Sequence, residues 1–434
     1  MQTLDKKETA LLKFTTVGSV DDGKSTLIGR LLYDSKAIFE DQLESVERSS
    51  AKKGFNGIDF SLLTDGLAAE REQGITIDVA YRYFSTPRRK FIIADTPGHV
   101  QYTRNMVTGA STAHLTIILV DARNGIVDQS RRHAYISALL GIPHFIVAIN
   151  KMDLVDYSES RFREIVDQFL EMMKGIGVSE EQISFIPVSA LAGDNVVNRE
   201  AVIFQDDVES RINNMPWYTG NTIMEVLESV SSSSLSTFKS FRMPVQMVIR
   251  NDSPEYRDFR GFAGRVSSGE IKVGDEIVSI PSKRTSKVAS IHLYDKRLDS
   301  AHAGESVTIC LEDEIDTSRG DMLVKAGEEP SLETEFSADI CWMSEDIFQL
   351  NKKYYLKHCS SLVKAIPTKI EYKLDINNFS QHAAESLNLN DIARVKFKLQ
   401  KAIPVDKYSE NRETGSFILI DEITNNTVAA GMIR

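Results

Sequence analysis

The stretch Gly18-Ser19-Val20-Asp21-Asp22-Gly23-Lys24-Ser25 matches G-x-x-x-x-G-K-[ST], and it lies between an apolar run and a helical pattern. In that context backbone N–H groups close around phosphate oxygens. The glycines let the chain turn, and the helix N-terminus adds the positive end of its dipole. Residues 18–26, Thr26 included, are therefore candidate phosphate-binding positions. Lys24 is placed to reach the β- and γ-phosphates and the Ser25 hydroxyl to ligate Mg²⁺.

The pattern around this loop repeats outward. Short apolar runs at 14–17, 91–94, 115–120, 145–149 and 183–188 read as buried parallel strands. Helical patterns at 24–33, 100–109, 129–140 and 161–174 alternate with them, which predicts an α/β domain with a mostly parallel sheet. The run 79–84 alternates and precedes Pro87, so it reads as an antiparallel edge strand.

Three further motifs sit at strand ends. Asp95-Thr96-Pro97-Gly98-His99 follows FIIA, where Asp95 would hold Mg²⁺ through water and the Gly98 N–H would sense a γ-phosphate. Asn150-Lys151-Met152-Asp153 ends the run FIVAI. A carboxylate at Asp153 accepts from N1–H and the 2-amino group of guanine. Adenine has no 2-amino group and presents an acceptor at N1, so the same carboxylate repels it. Asn150 would brace the loop and Lys151 cover the base, with Ser189-Ala190-Leu191 supplying an N–H to the guanine oxygen. In this order the motifs select GTP and GDP over adenine nucleotides. Arg71-Glu72-Gln73-Gly74-Ile75-Thr76 lies between the phosphate loop and DTPGH, and Thr76 is the candidate switch threonine that ligates Mg²⁺ only while a γ-phosphate is present.

Past residue 230 the period changes. SVSSSSLSTFKS (229–240) reads as a linker. Short runs at 241–250, 261–266, 275–280, 287–293 and 306–311, punctuated by Gly, Pro and Asp, then suggest a small β-barrel. GEEPSLETEF (327–336) is a second polar break, followed by an all-β stretch with runs at 336–342, 365–374, 392–399 and 417–421. The expected fold is an α/β P-loop GTPase domain followed by two all-β barrel domains, bounded at 1–230, 241–330 and 335–434.

Composition agrees with a multidomain globular chain, at 42% hydrophobic and 26% charged residues. The 51 basic and 62 acidic residues give a net charge of −11, with no basic stripe, which argues against a protein that coats nucleic acid. Residues 305–346 hold 13 acidic and 2 basic side chains, the pattern of a solvated face. Cys310, Cys341 and Cys359 form no CxxC pair and are odd in number, which excludes a disulfide framework and points to a reducing compartment. With no signal-peptide pattern and no apolar run near the ~20 residues that span a bilayer, the expectation is a cytoplasmic chain without a membrane anchor.

The GTPase motifs followed by two β-rich regions resemble the translation-factor GTPases of the elongation factor Tu type. By that resemblance His99 positions the attacking water, and Val20 and Ile75 match the apolar gate that restrains it. Longer strings are similar to one branch of this superfamily, the large GTPase subunits of bacterial sulfate adenylyltransferase. These are GSVDDGKSTLIGRLLYDSK, LTDGLAAEREQGITIDVAYRYFST, RKFIIADTPGH, MPWY, RDFRGFAG and TGSFILID. Val100 departs from that branch, which has Glu after the histidine, and the run 34–70 is longer than in elongation factor Tu.

The resemblance implies a role in coupling GTP hydrolysis to adenosine 5′-phosphosulfate synthesis from ATP and sulfate. The phosphoric–sulfuric anhydride is uphill and needs a second hydrolysis to drive it. The chain has no HxxH or HxGH pair and no SGG-type pyrophosphate loop, so adenylyl transfer is expected on a small catalytic subunit. An adenylylsulfate kinase, fused or separate, is the other associate the resemblance implies. The alternative is a translation factor delivering aminoacyl-tRNA. A nucleotide-locked structural subunit fits poorly with an intact Lys24, Thr76, Asp95 and His99 set.

Overall fold

The computed structural model describes residues 11–38, 40–52, 58–63, 78–99, 102–205, 208–231, 239–251 and 259–434. The chain divides into two compact units. One runs to Leu235 and takes in Ile376–Phe379, and the other holds Ser236–Asp375 and Ser380–Arg434.

The first unit is built on six strands: β1 Leu11–Val17, β2 Ala80–Ser85, β3 Lys90–Asp95, β4 Leu115–Asp121, β5 His144–Asn150 and β6 Ile183–Pro187. Their order in the sheet is β2-β3-β1-β4-β5-β6, with β2 antiparallel on β3 and every other pair parallel. The expected edge strand is therefore found at the edge. Every residue of β4, LTIILVD, is buried, as a central strand covered on both faces requires.

The described α-helices of this unit are α1 Lys24–Asp34, α2 Glu40–Lys52, α3 Thr103–Ala110, α4 Asp128–Leu139, α5 Glu159–Gly175 and α6 Ile223–Ser229. The α2 and α6 helices and a hairpin of Ala201–Gln205 with Val208–Ile212 lie outside the sequence expectation. Strand order reverses about β1, which pairs with β3 on one side and β4 on the other. The C-terminal end of β1 is thus the crevice in which open α/β sheets bind ligands.

The second unit contains two barrels. In the first, the bent segment 242–251 pairs at its start with Met322–Lys325 and at its end with Phe259–Arg265. The ring closes through Ser306–Leu311, Arg284–Leu293 and Glu276–Ile280 around Phe241, Met243, Phe262, Ile291 and Ile309. The second barrel closes six strands, because Tyr354–His358 pairs with both Ser416–Asp421 and Ser361–Leu374. Its core is aromatic, with Phe336, Trp342, Phe348, Tyr354, Phe397 and Phe417.

The polar break expected at 327–336 is shorter than its composition suggests. Ser331–Trp342 is one strand whose first residues pair with Ile403–Val405, with a register shift between Glu333 and Glu335; Glu335 is exposed, while Asp339 farther along is buried. Between the barrels, the buried Arg242 guanidinium donates to both oxygens of Asp406 at 3.0 and 3.2 Å, and the Thr414 hydroxyl donates to the same carboxylate at 2.6 Å. Removing one partner of such a pair costs ~3–5 kcal/mol, because the other charge stays buried alone.

Candidate functional site

Four chain segments meet at the C-terminal edge of the first unit's sheet. Register puts Thr16 beside Asp95, Asp121 beside Asn150, and Ile149 beside Pro187, while β4 runs on past the end of β1, whose Val17 lies beside Ile118. Residues 18–23 turn from β1 into α1. Gly23 caps the helix at φ +88, in the left-handed region, and a Cβ there would strike the Asn150 side-chain amide. Glycine is required twice over at that position. Lys24 and Ser25 open α1, with Thr26 next, and Val20 stands exposed at the loop's tip.

Inside the loop the Ser19 N–H donates to the Asp22 carboxylate at 2.6 Å. Burial lifts the Asp22 pKa to about 6 from its ordinary 3.8, against the pull of that amide. The Lys24 ammonium pairs with the Asp95 carboxylate, both buried. The turn after β3 crosses the loop so closely that a Cβ on Gly98 would lie 2.5 Å from the Gly18 carbonyl. His99 follows, half-buried, its ring edge-on to Tyr102 with centroids 6.3 Å apart. The N-cap of α3 is Tyr102, so His99 is not that helix's cap.

Asn150 is the keystone of the site. Its amide donates to the Asp22 carbonyl at 2.7 Å and its side-chain oxygen accepts from the Ala190 N–H at 3.0 Å, tying the phosphate loop to the 189–191 loop. The Ala190 amide is thus shared with Asn150, a bond absent from the sequence expectation. Lys151, at φ +61, reaches back to the Asp21 carbonyl and to the Asp121 carboxylate, the latter at 3.0 Å. Asp153 lies partly exposed in the single turn Met152–Val155, with Leu154 and Leu191 exposed nearby in sequence. Ser189 is buried, and its oxygens accept from the Ala192 and Gly193 amides. Thr76, Ile75 and Val100 fall outside the described residues.

Two participants escaped the motif reading. Asp121 ends β4 and holds Lys151 and Arg123. Burial opposes its charge, but hydrogen bonds from Arg123 and Lys151 outweigh that and hold its pKa at about 2. An acidic residue closing an all-apolar strand was the available signal. Arg30, in the middle of α1, had none.

For a magnesium ion, the donors at hand are the Ser25 hydroxyl and the buried Asp95 carboxylate. No group of three or more His, Cys, Asp or Glu clusters among the described residues. Few protein ligands is what Mg²⁺ takes when substrate phosphates and water complete its octahedron, so this donor set fits.

A family model described as elongation factor Tu GTP binding domain matches residues 9–234, and one described as GTP-eEF1A C-terminal domain-like matches 335–434. Sulfate adenylyltransferase subunit 1 of Saccharophagus degradans is 53% identical, over 98% of this chain and 86% of its own. The protein of the same name from Teredinibacter turnerae is 52% identical, over 99% and 88%. The bifunctional enzyme CysN/CysC of Rhodopirellula baltica is 52% identical over 98% of this chain, which spans 63% of that longer protein. With a phosphate loop, a DTPGH turn and an NKMD turn on one sheet edge, two barrels in the second unit, and likeness of this depth along nearly the whole length, the chain belongs to the sulfate adenylyltransferase subunit 1 family, on the elongation factor Tu type of GTP-binding domain.

Proposed function

We propose that this chain is the GTP-hydrolysing subunit of a sulfate adenylyltransferase, coupling GTP hydrolysis to synthesis of adenosine 5′-phosphosulfate and diphosphate from ATP and sulfate. One observation carries the nucleotide half of this reading: Asn150 is hydrogen-bonded at once to the phosphate loop and to the 189–191 loop, as a single nucleotide lying across both requires. Family membership carries the rest.

In this reading the amides of residues 18–26 cradle the phosphates. Lys24 exchanges its Asp95 partner for the β- and γ-oxygens, and Asp153 reads the 2-amino edge of guanine beneath Lys151. Ser25, Asp95 and Thr76 hold Mg²⁺, whose chemistry when bound is to neutralise charge building on the transferred phosphoryl group. His99 positions the attacking water, with Val20 and Ile75 restraining it, and the Gly98 amide registers the γ-phosphate. Adenylyl transfer resides on a small catalytic subunit, and an adenylylsulfate kinase completes the set of associates. The working units are 1–230, which binds GTP, and barrels over 241–330 and 335–434. Among the described residues no helix is long and apolar enough to cross a membrane, in keeping with a cytoplasmic site of action.

The test is GTP hydrolysis by this chain mixed with its small subunit, ATP and sulfate, against mixtures lacking each component. Hydrolysis rising only in the full mixture supports the reading. Recovery of aminoacyl-tRNA, with no response to sulfate, points instead to a translation factor.

A further inference from the structure

We propose that Arg30 is the positioning residue that holds the 189–193 loop against the 6-oxo edge of guanine, and that Phe60 sets where its guanidinium lies. This rests on the guanine reading above and assigns that edge its support.

Arg30 sits on α1 with its side chain only 9% exposed. Its Nε donates to Asp34 at 2.9 Å, one turn on, which fixes the fork. From there one terminal nitrogen donates to the Leu191 carbonyl at 3.2 Å. The other lies where a Cβ on Gly193 would be, and Gly193 takes φ +92, so the loop bends around the guanidinium and tolerates no side chain there. A buried charge of this kind is held for its geometry, since a rigid planar fork loses little freedom on binding a carbonyl.

On its other side the guanidinium lies over the Phe60 ring, 5.1 Å from its centroid, while Phe60 packs edge-on to Tyr33 at 5.3 Å. The backbone of Phe60 presses against Gly29, where any Cβ would collide with its carbonyl. Phe60 belongs to the turn Phe60–Leu63, tied to α2 through the Asp59 N–H on Ser50 at 2.9 Å. Phe60, within the run 34–70 that is longer than in elongation factor Tu, thus covers Arg30 on the side away from the base loop.

The loop carrying Leu191 meets the 6-position of the purine, whereas Asp153 reads the 2-position from another element. The two edges are therefore separable by analogue. Affinities of GTP, inosine triphosphate (no 2-amino group) and 6-thioguanosine triphosphate (6-thioxo in place of 6-oxo, with N1–H and the 2-amino group kept) are measured for parent, Arg30→Met, Arg30→Lys and Phe60→Leu. Arg30→Met is expected to narrow the preference for GTP over the 6-thio nucleotide by about three- to tenfold, the span of one misplaced neutral hydrogen bond. The preference for GTP over the inosine nucleotide should hold within about twofold. Arg30→Lys should restore part of the lost ratio, and Phe60→Leu should shift it in the same direction as Arg30→Met. Both readouts are ratios within one protein, so loss of folded material does not move them, and Phe60→Leu carries the test if Arg30→Met does not fold. Unchanged ratios in folded variants, or equal loss of both, overturn the role of Arg30 alone. A parent that binds all three nucleotides equally overturns the guanine assignment, and this inference with it.

Discussion

Replacing Asn150 by alanine tests the central tie of the nucleotide site. Asn150 is 2% exposed and makes two bonds, to the Asp22 carbonyl at 2.7 Å and from the Ala190 amide at 3.0 Å. Alanine leaves both backbone groups buried and unpaired, and at ~1–3 kcal/mol each the expected loss is about 2–6 kcal/mol. It also opens space beside Gly23, whose missing side chain the Asn150 amide now fills. Asn150→Asp keeps the acceptor for Ala190 but sets a buried carboxylate oxygen against the Asp22 carbonyl, so it should cost at least as much as alanine. Urea unfolding followed by a probe in the first unit gives the stability change, and calorimetric titration with GTP in Mg²⁺ gives the binding change. Affinity should fall at least about tenfold, since each ~1.4 kcal/mol of the loss that appears in binding is a factor of ten. A variant within ~0.5 kcal/mol of the parent, the range of ordinary surface substitutions, with unchanged GTP affinity, would refute the claim that this side chain joins the two loops.

Other residues give sharper separations. Asp153→Asn should weaken GTP by at least ~1–3 kcal/mol and improve xanthosine triphosphate, because the donor pattern at position 2 is inverted; unchanged GTP affinity by calorimetry counts against the guanine assignment. His99→Ala should slow single-turnover GTP hydrolysis by ~10²–10⁴-fold while GTP retention on gel filtration survives. A rate within about threefold of the parent removes His99 from the mechanism. Asp22 gives a pH signature: its pKa is raised from 3.8 to about 6 by burial, so its contribution to stability is present below pH 3.8 and lost as pH rises through 6. A nucleotide phosphate beside it raises the value further, so GTP binding near pH 6 should take up protons, read as a buffer-dependent heat. Asp22→Asn should abolish that uptake, and equal heats in all buffers for the parent contradict it.

Much of the first unit was legible because its strands are buried on both faces and read as uninterrupted apolar runs. LTIILVD and HFIVAIN differ from their expected bounds only at the ends. The phosphate, DTPGH and NKMD turns were legible because each places backbone or carboxylate chemistry at a strand's end. The α2 helix was not, since EDQLESVERSSAK buries little beyond Ser50 and carries a weak apolar stripe. Arg30 was invisible for a different reason: a charged residue on an amphipathic helix reads as solvent-facing until Phe60, thirty residues on, is seen to cover it. In the second barrel Thr427–Ile433, TVAAGMI, was missed because small residues blur the alternation. The strand from Ser331 was hidden by glutamates that face solvent on a paired strand.

The most direct test measures GTP consumed and adenosine 5′-phosphosulfate formed in one reaction by this chain with its small subunit, ATP and sulfate. The account predicts that product accumulates beyond the ATP–sulfate equilibrium only while GTP is hydrolysed, and that accumulation stops with a non-hydrolysable GTP analogue. The same yield without GTP, or with Lys24→Ala in place of the parent, would contradict it.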